Sequence, residues 1–319
     1  YGNLTVSNGW IKFGFNETNG FNLEVRTNLL LKCVDASYYF GRIDLSNAML
    51  KVGGNIMLTN IAASAKLQLF SRITNGAAAY GSLVDVGGEL AVGPWCTVYP
   101  EAQPINGGAP HFRVMHLTVA SNGTIDAAGA GWQLKYGSGT PGGTLRYGAG
   151  YGGEGGNSAV PGPGGGGPTY GASNTLPFYC GSGGGSSSGT DPVDGRGGGL
   201  IHVEASGNVT INGRLNANGN DYGGAGHGAG SGGGIYILCR KFFGMGQLLA
   251  KGGSNPDVSA DGAGGGGRIL VERVNDFSAL AEVNVDGGIH GSIANWYGAT
   301  GTVVFVELPL RIGSVMTIQ

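Results

Sequence analysis

Between Gly199 and Gly301 one pattern is written three times, and it restricts the fold more than any other feature of the chain. A glycine run ends and a short β-type strand follows: Leu200-Ile-His-Val-Glu, then Ile235-Tyr-Ile-Leu-Cys, then Ile269-Leu-Val-Glu-Arg. Val303-Val-Phe-Val-Glu opens a further copy. The starts are about 35, 34 and 34 residues apart, a fixed period of the kind that marks stacked repeats. A second short strand closes on glycine in each copy. Gly213-Arg-Leu-Asn-Ala-Asn-Gly219 aligns with Gly246-Gln-Leu-Leu-Ala-Lys-Gly252 and, more loosely, with Ala281-Glu-Val-Asn-Val-Asp-Gly287.

Two strands of about five residues make only a marginal ribbon, so a single copy cannot bury its apolar face. Stacked copies can, because each strand pairs with its equivalent in the next and alternate side chains form a continuous core. The repeat therefore predicts an all-β fold, a parallel β-helix (β-solenoid) with coils of roughly 34 residues and long glycine-rich excursions. A β-sandwich with long loops is the competing architecture.

Glycine supplies 68 of the 319 residues, a fraction that would point to disorder in a polar chain. Here 41% of residues are hydrophobic and the strands alternate, so the composition supports a buried core. Eighteen basic against 20 acidic residues leave a net charge of -2, which gives no electrostatic footprint for nucleic acid or an anionic membrane. No apolar run is long enough for a membrane-spanning helix. The chain opens at Tyr1 without a methionine, which predicts either a removed leader or a segment of a longer chain.

From Tyr1 to about Ala128 short alternating strands recur about every ten residues, bounded by Asn-Gly, Gly-Gly and Ser-Asn turns. They include Leu4-Thr-Val, Trp10-Ile-Lys-Phe, Phe21-Asn-Leu-Glu-Val, Arg42-Ile-Asp-Leu, Ala48-Met-Leu-Lys-Val, Ser82-Leu-Val-Asp-Val and Glu89-Leu-Ala-Val. Leu117 to Gly129 parallels Val209 to Gly219 with two extra residues, so the same architecture is expected in both halves. The organisation expected is a strand-rich part over 1–128, a glycine- and tyrosine-rich insertion over 129–199, and repeated coils with a C-terminal strand over 200–319. The insertion interleaves Tyr136, Tyr147, Tyr151, Tyr170, Phe178 and Tyr179 among its glycines. A flexible linker has no use for these rings. They point instead to an ordered insertion of extended, polyproline-II-like segments lying side by side with the rings against them.

Cys33, Cys96, Cys180 and Cys239 are widely spaced and form no zinc-binding pattern. They serve either as two disulfides, with Cys33–Cys96 the first pairing to expect, or as small buried hydrophobes. Four Asn-X-Thr sequons, at Asn3, Asn16, Asn122 and Asn208, are acceptors for N-glycans in a secreted eukaryotic protein.

Gly150-Tyr-Gly-Gly-Glu-Gly-Gly, Tyr170-Gly-Ala-Ser, Cys180-Gly-Ser-Gly-Gly-Gly, Gly197-Gly-Gly-Leu-Ile-His-Val, Gly230-Ser-Gly-Gly-Gly-Ile-Tyr-Ile and Gly264-Gly-Gly-Gly-Arg-Ile-Leu-Val share one style. Together they resemble the glycine-rich modules of very large secreted and surface proteins, in the manner of autotransporter passengers and polymorphic surface adhesins. The resemblance covers about Leu117 to Val306. It implies a secreted, cell-surface, adhesive or structural role and supplies no catalytic residues.

Glycine spacings matching GxGxxG are expected by chance at this glycine content, and no strand-then-helix context follows them. A Walker motif is absent, and the calcium nonapeptide fails at His227 and Gly228. Polysaccharide-cleaving chemistry needs clustered carboxylates, for which Glu154, Asp191, Asp194, Asp221, Asp257 and Asp261 are the candidates. Turn-forming or capping aspartates explain the same positions. His227, flanked by glycines, is expected in an exposed loop. A thiol–imidazole pair of Cys239 with His227 or His202 competes with a packed core thiol.

Strand-like sequence runs to Gln319 at one end and starts almost at once at the other, with no capping helix at either. This predicts head-to-tail joining by strand addition, unless the chain continues past both ends. The function expected is that of a non-enzymatic structural protein, the subunit of a fibre, appendage or surface layer. It would bind itself, use no cofactor, and contact neither nucleic acid nor a membrane span. A carbohydrate-binding adhesin displaying Tyr and Trp rings is the alternative, and a β-helical polysaccharide lyase or hydrolase the third.

Overall fold

Alternating burial explains why these short apolar segments become strands: one set of side chains enters a core and the other faces out. A computed structural model describes residues 2–14, 21–35, 40–71, 81–141, 146–158, 165–176, 178–187, 195–221, 226–256, 261–291 and 293–309. The fold is all-β, with no α-helix among the described residues and a single 3-10 turn at Ala294–Trp296.

The first strands are β1 (Leu4–Ser7), β2 (Trp10–Phe13), β3 (Phe21–Val25), β4 (Leu29–Cys33), β5 (Phe40–Val52) and β6 (Ile56–Asn60). There follow β7 (Ser64–Ser71), β8 (Ser82–Val92), β9 (Thr97–Glu101), β10 (Pro110–Val119) and β11 (Thr124–Asp126). After the insertion come β12 (Leu200–Ala205), β13 (Asn208–Ile211), β14 (Arg214–Asn216), β15 (Gly234–Gly244), β16 (Gln247–Leu249), β17 (Arg268–Ser278), β18 (Glu282–Asn284) and β19 (Thr302–Glu307).

Every strand pairing is parallel, and the pairings form three ladders. In the first, Leu23, Leu50, Val84, Phe112, Val203, Ile237, Val271 and Phe305 lie on successive rungs. In the second, Leu29, Ile56, Leu90, Leu117, Val209 and Phe242 do the same. In the third, Ile43, Leu67, Val98, Ile125, Leu215 and Leu248 form the row. Apart from Phe305 at the end of the first row, all three rows meet in one apolar cluster. Segments that the sequence divides in two are continuous strands here. Arg42-Ile-Asp-Leu and Ala48-Met-Leu-Lys-Val both lie in β5, while Ser82 to Val92 is the single strand β8. The strands β5, β8 and β10 each start in one ladder and end in another, β10 turning the corner at an irregularity between Val114 and His116.

The sequence alignment of the repeats is off by one at its start. Ile201, not Leu200, pairs with Ile235, so Ile201, Ile235, Ile269 and Val303 are each 34 residues apart. Thr124 pairs with Arg214 and Leu117 with Val209, which places the two extra residues of the earlier copy between these rungs. Pairing partners elsewhere are separated by 24 (Phe40 to Ser64) to 35 (Gln247 to Glu282) residues. Only where β10 and β11 meet β12, β13 and β14 does the separation rise to 90–92, spanning the glycine-rich insertion.

The described glycine segments are ordered against this frame. Along 261–267, successive amides turn to three different neighbours. Gly262 and Gly265 donate to the carbonyls of Arg146 and Ala149, Ala263 and Gly266 to those of Trp296 and Ala299, and Gly264 and Gly267 to those of Gly253 and Ala250. Segment 228–233 repeats the rule: Gly228 and Ser231 donate to Gly185 and Ser182, Ala229 and Gly232 to Gly262 and Gly265, Gly230 and Gly233 to Asn220 and Ala217. Threads this close leave no room for side chains, and a Cβ on Gly264 would overlap the Gly230 carbonyl. Tyr147 and Tyr151 are buried between the threads, and Phe178 and Cys180 pack against Leu200, Tyr236 and Leu270 on the outer side of the first ladder.

Candidate functional site

The outer side of the first ladder is where chemistry gathers. Strand β10 points Phe112 and Val114 into the core, so His111 and Arg113 project the other way; β12 does likewise with Val203 against His202 and Glu204. Parallel register then sets His111 beside His202 and Arg113 beside Glu204, with Tyr236 on the next rung after His202 and Asp85 on the rung before Arg113. The packing of Ala102, Ala109, Phe178 and Cys180 on this side leaves both imidazoles buried.

The two rings stack with centroids 4.1 Å apart and planes 19° from parallel. His202 meets Tyr236 edge-on, and the Tyr236 hydroxyl donates to Glu272 at 2.6 Å. Both imidazoles turn Nε2 toward one carboxylate: His111 Nε2 lies 3.4 Å from Glu204 Oε2 and His202 Nε2 3.3 Å from Glu204 Oε1. These are the only three ligand-type side chains that converge in this way among the described residues. Burial, reinforced by the neighbouring His202, pushes the His111 imidazole down to about 4 against the pull of Glu204. The hydrogen bond from His202 and the charges around it hold the Glu204 carboxyl below its usual range. Glu204 also borders a surface cleft of about 410 Å3 with Asp85, Arg113, Met115 and Leu238.

Sequence reasoning weighed His202 only as a partner for Cys239 and passed over His111 and Glu204. A signal was present: Pro110-His-Phe-Arg-Val and Ile201-His-Val-Glu-Ala both place His two residues before a charged residue on a strand.

A second concavity, of about 460 Å3, opens over the third ladder and is lined by Trp95, Asn122, Thr124, Arg214, Met245 and Gln247. Trp95 stands at φ 61 in the Pro94–Trp95 turn, a backbone region normally left to glycine or asparagine, with the residue 61% exposed. The Trp95 amide donates to the Asn122 carbonyl at 3.0 Å, which ties the turn to the neighbouring one.

The other sequence-derived candidates are dispersed. Asp191, Asp194 and Asp257 lie outside the described residues. Glu154 is exposed, Asp221 accepts from the Ser254 amide at 2.7 Å, and Asp261 is wholly buried, accepting from the Gly226 amide at 3.0 Å with Arg146 3.7 Å away. Asp261 is thus a hub of the glycine threads. His227 is buried rather than exposed, because its segment packs among those threads. All four cysteines are buried and none is joined in a disulfide, which agrees with the reading of them as small buried hydrophobes. Burial pushes the Cys180 and Cys239 thiols up to about 12, which leaves Cys239 a packed core thiol. Of the sequons, Asn3 and Asn122 are exposed, Asn208 is half-buried at the start of β13, and Asn16 lies outside the described residues. No helix among the described residues is long and apolar enough to cross a membrane. No protein-family model, curated protein or solved structure matches this chain.

Proposed function

We propose that the three ladders are the faces of a parallel β-solenoid, that the glycine threads are polyproline-II-like, and that the protein serves outside the cell as a structural element joined end to end. The observation that carries this reading is the fate of the core rows. Ile201, Ile235 and Ile269 are completely buried, yet Val303, next in the row, is 38% exposed, and Phe305 after Val271 is 37% exposed. At the opposite end Leu4, Ile11, Phe13 and Phe21 are only partly covered. An apolar row that surfaces on an edge strand is a template for another strand, and the two ends differ, so such a joint propagates rather than closing.

Sedimentation and electron microscopy over a range of protein concentrations test the joint. Rods that lengthen with concentration are expected, with strands stacked at about 4.8 Å along the axis. Val303→Lys with Phe305→Lys should keep them short; rods that stay monomeric at every concentration would remove the joint from the reading.

Carbohydrate binding is a second reading, favoured by the exposed Trp95 ring amid Asn122, Thr124, Arg214 and Gln247. An indole offers an apolar face to a pyranose ring while amides and hydroxyls meet its polar edge. The surface differs from the one the sequence indicates, since Tyr147 and Tyr151 are packed inside. A glycan array on the wild type and Trp95→Ala distinguishes this reading, through ring-dependent binding or none.

A further inference from the structure

We propose that His111, His202 and Glu204 form a binding site for a divalent transition metal such as zinc, which clasps together the two strands that bracket the glycine-rich insertion. Two imidazoles and a carboxylate are a common donor set for such ions. Bonds of 2.0–2.1 Å arranged tetrahedrally put neighbouring donor atoms about 3.3 Å apart. The observed Nε2-to-oxygen separations, 3.3 and 3.4 Å, are each close to that edge, one to each oxygen of Glu204, so a turn of the carboxylate brings a single oxygen to both imidazoles. One ligand atom from each of the three side chains lies within 4.8 Å of those of the other two. Stacked rings aim their lone pairs in parallel, so binding turns the imidazoles out of the stack until both converge on the ion. Glu204, a third exposed, supplies the route of entry, and the fourth position opens toward the cleft it borders.

Position in the chain gives the site its purpose. His111 precedes the insertion and His202 follows it, 91 residues later, on the one step of the ladder not closed by a short connection. Closing a longer loop costs more chain entropy, and an ion that binds only the closed arrangement favours it by mass action. Arg113, beside Glu204 on the same ladder, opposes cation binding, and Asp85 on the neighbouring rung offsets it.

Calorimetric titration of the metal-free protein with zinc, repeated with cobalt(II) while recording its visible spectrum, tests the site. About one ion per chain is expected, with a tetrahedral cobalt spectrum and a rise in melting temperature that a chelator reverses. His202→Gln and Glu204→Gln should each weaken binding about 100-fold or more and abolish the rise in melting temperature, whereas His290→Gln should change neither. Glu204→Gln, at the most exposed of the three positions, keeps the test valid if a histidine variant fails to fold. Zinc affinity unchanged in Glu204→Gln and His202→Gln, or no saturable binding by the wild type, would overturn the proposal.

Discussion

Gly264 has no room for a methyl group, because the Gly230 carbonyl occupies the place a Cβ would take. Gly264→Ala should therefore destabilise the protein by about 1–3 kcal/mol through forced backbone movement. Gly9→Ala, where the nearest atom is the Ser7 carbonyl oxygen at 3.8 Å, should stay within about 0.5 kcal/mol; urea melts of the two variants check the contrast. Buried acids give a second prediction at this scale. Burial raises the Tyr151 phenol, and the Cys180 and Cys239 thiols, above their ordinary values. In the unfolded chain these groups ionise near pH 10 and 8.5, so their contribution to stability is complete below those values and is lost as pH rises from them through the higher folded values. An alkaline titration should show tyrosinate absorbance from Tyr151 only with unfolding, and Tyr151→Phe should move the transition to higher pH. All four cysteines should resist thiol reagents in the native protein and react in denaturant without reductant. Thiols that stay silent in denaturant would mean disulfides after all.

Within the strands, the energy lies in rows rather than in single pairs. Ile237, at the centre of the first ladder and completely buried, should cost about 2–5 kcal/mol when replaced by Ala. Val303→Ala on the last rung, already more than a third exposed, should cost less than about 1 kcal/mol. Equal losses in denaturant melts would show that burial along the row is not what stabilises the ladders. The rows were legible beforehand because β-branched residues recur every 34 positions and alternate in and out. The sequence reading did not mark β4 and β9: Leu29-Leu-Leu-Lys-Cys carries little turn punctuation, and in Thr97-Val-Tyr-Pro-Glu, Pro100 argues against a strand until its rung position is known. The joining of two segments into one bent strand, as in β8, was likewise hidden, since Gly87-Gly88 reads as a turn when only local sequence is considered.

For the molecule as a whole, the sequence marks a glycine- and tyrosine-rich insertion but not where its described segments lie. The shared His-x-charged pattern does not by itself make His111 and His202 neighbours; only the closure of a 91-residue excursion does, and that closure is a property of the ladders. The glycine threads bear on mechanics as well. A sheet resists stretching in its own plane but bends easily out of it, because its hydrogen bonds all run one way. Segments 228–233 and 261–267 each bond in three directions around their axis, so the bundle they belong to has no soft direction across it. It lies against one flank of the first ladder, through Phe178 and Cys180, and is tied to the ends of the third-ladder strands, where Gly233 and Gly267 donate to the Ala217 and Ala250 carbonyls. In the end-to-end rod proposed above the bundle would act as a keel: such a rod should flex readily in one plane and stiffly in the plane that loads the threads, an anisotropy that the curvature of adsorbed single particles would display.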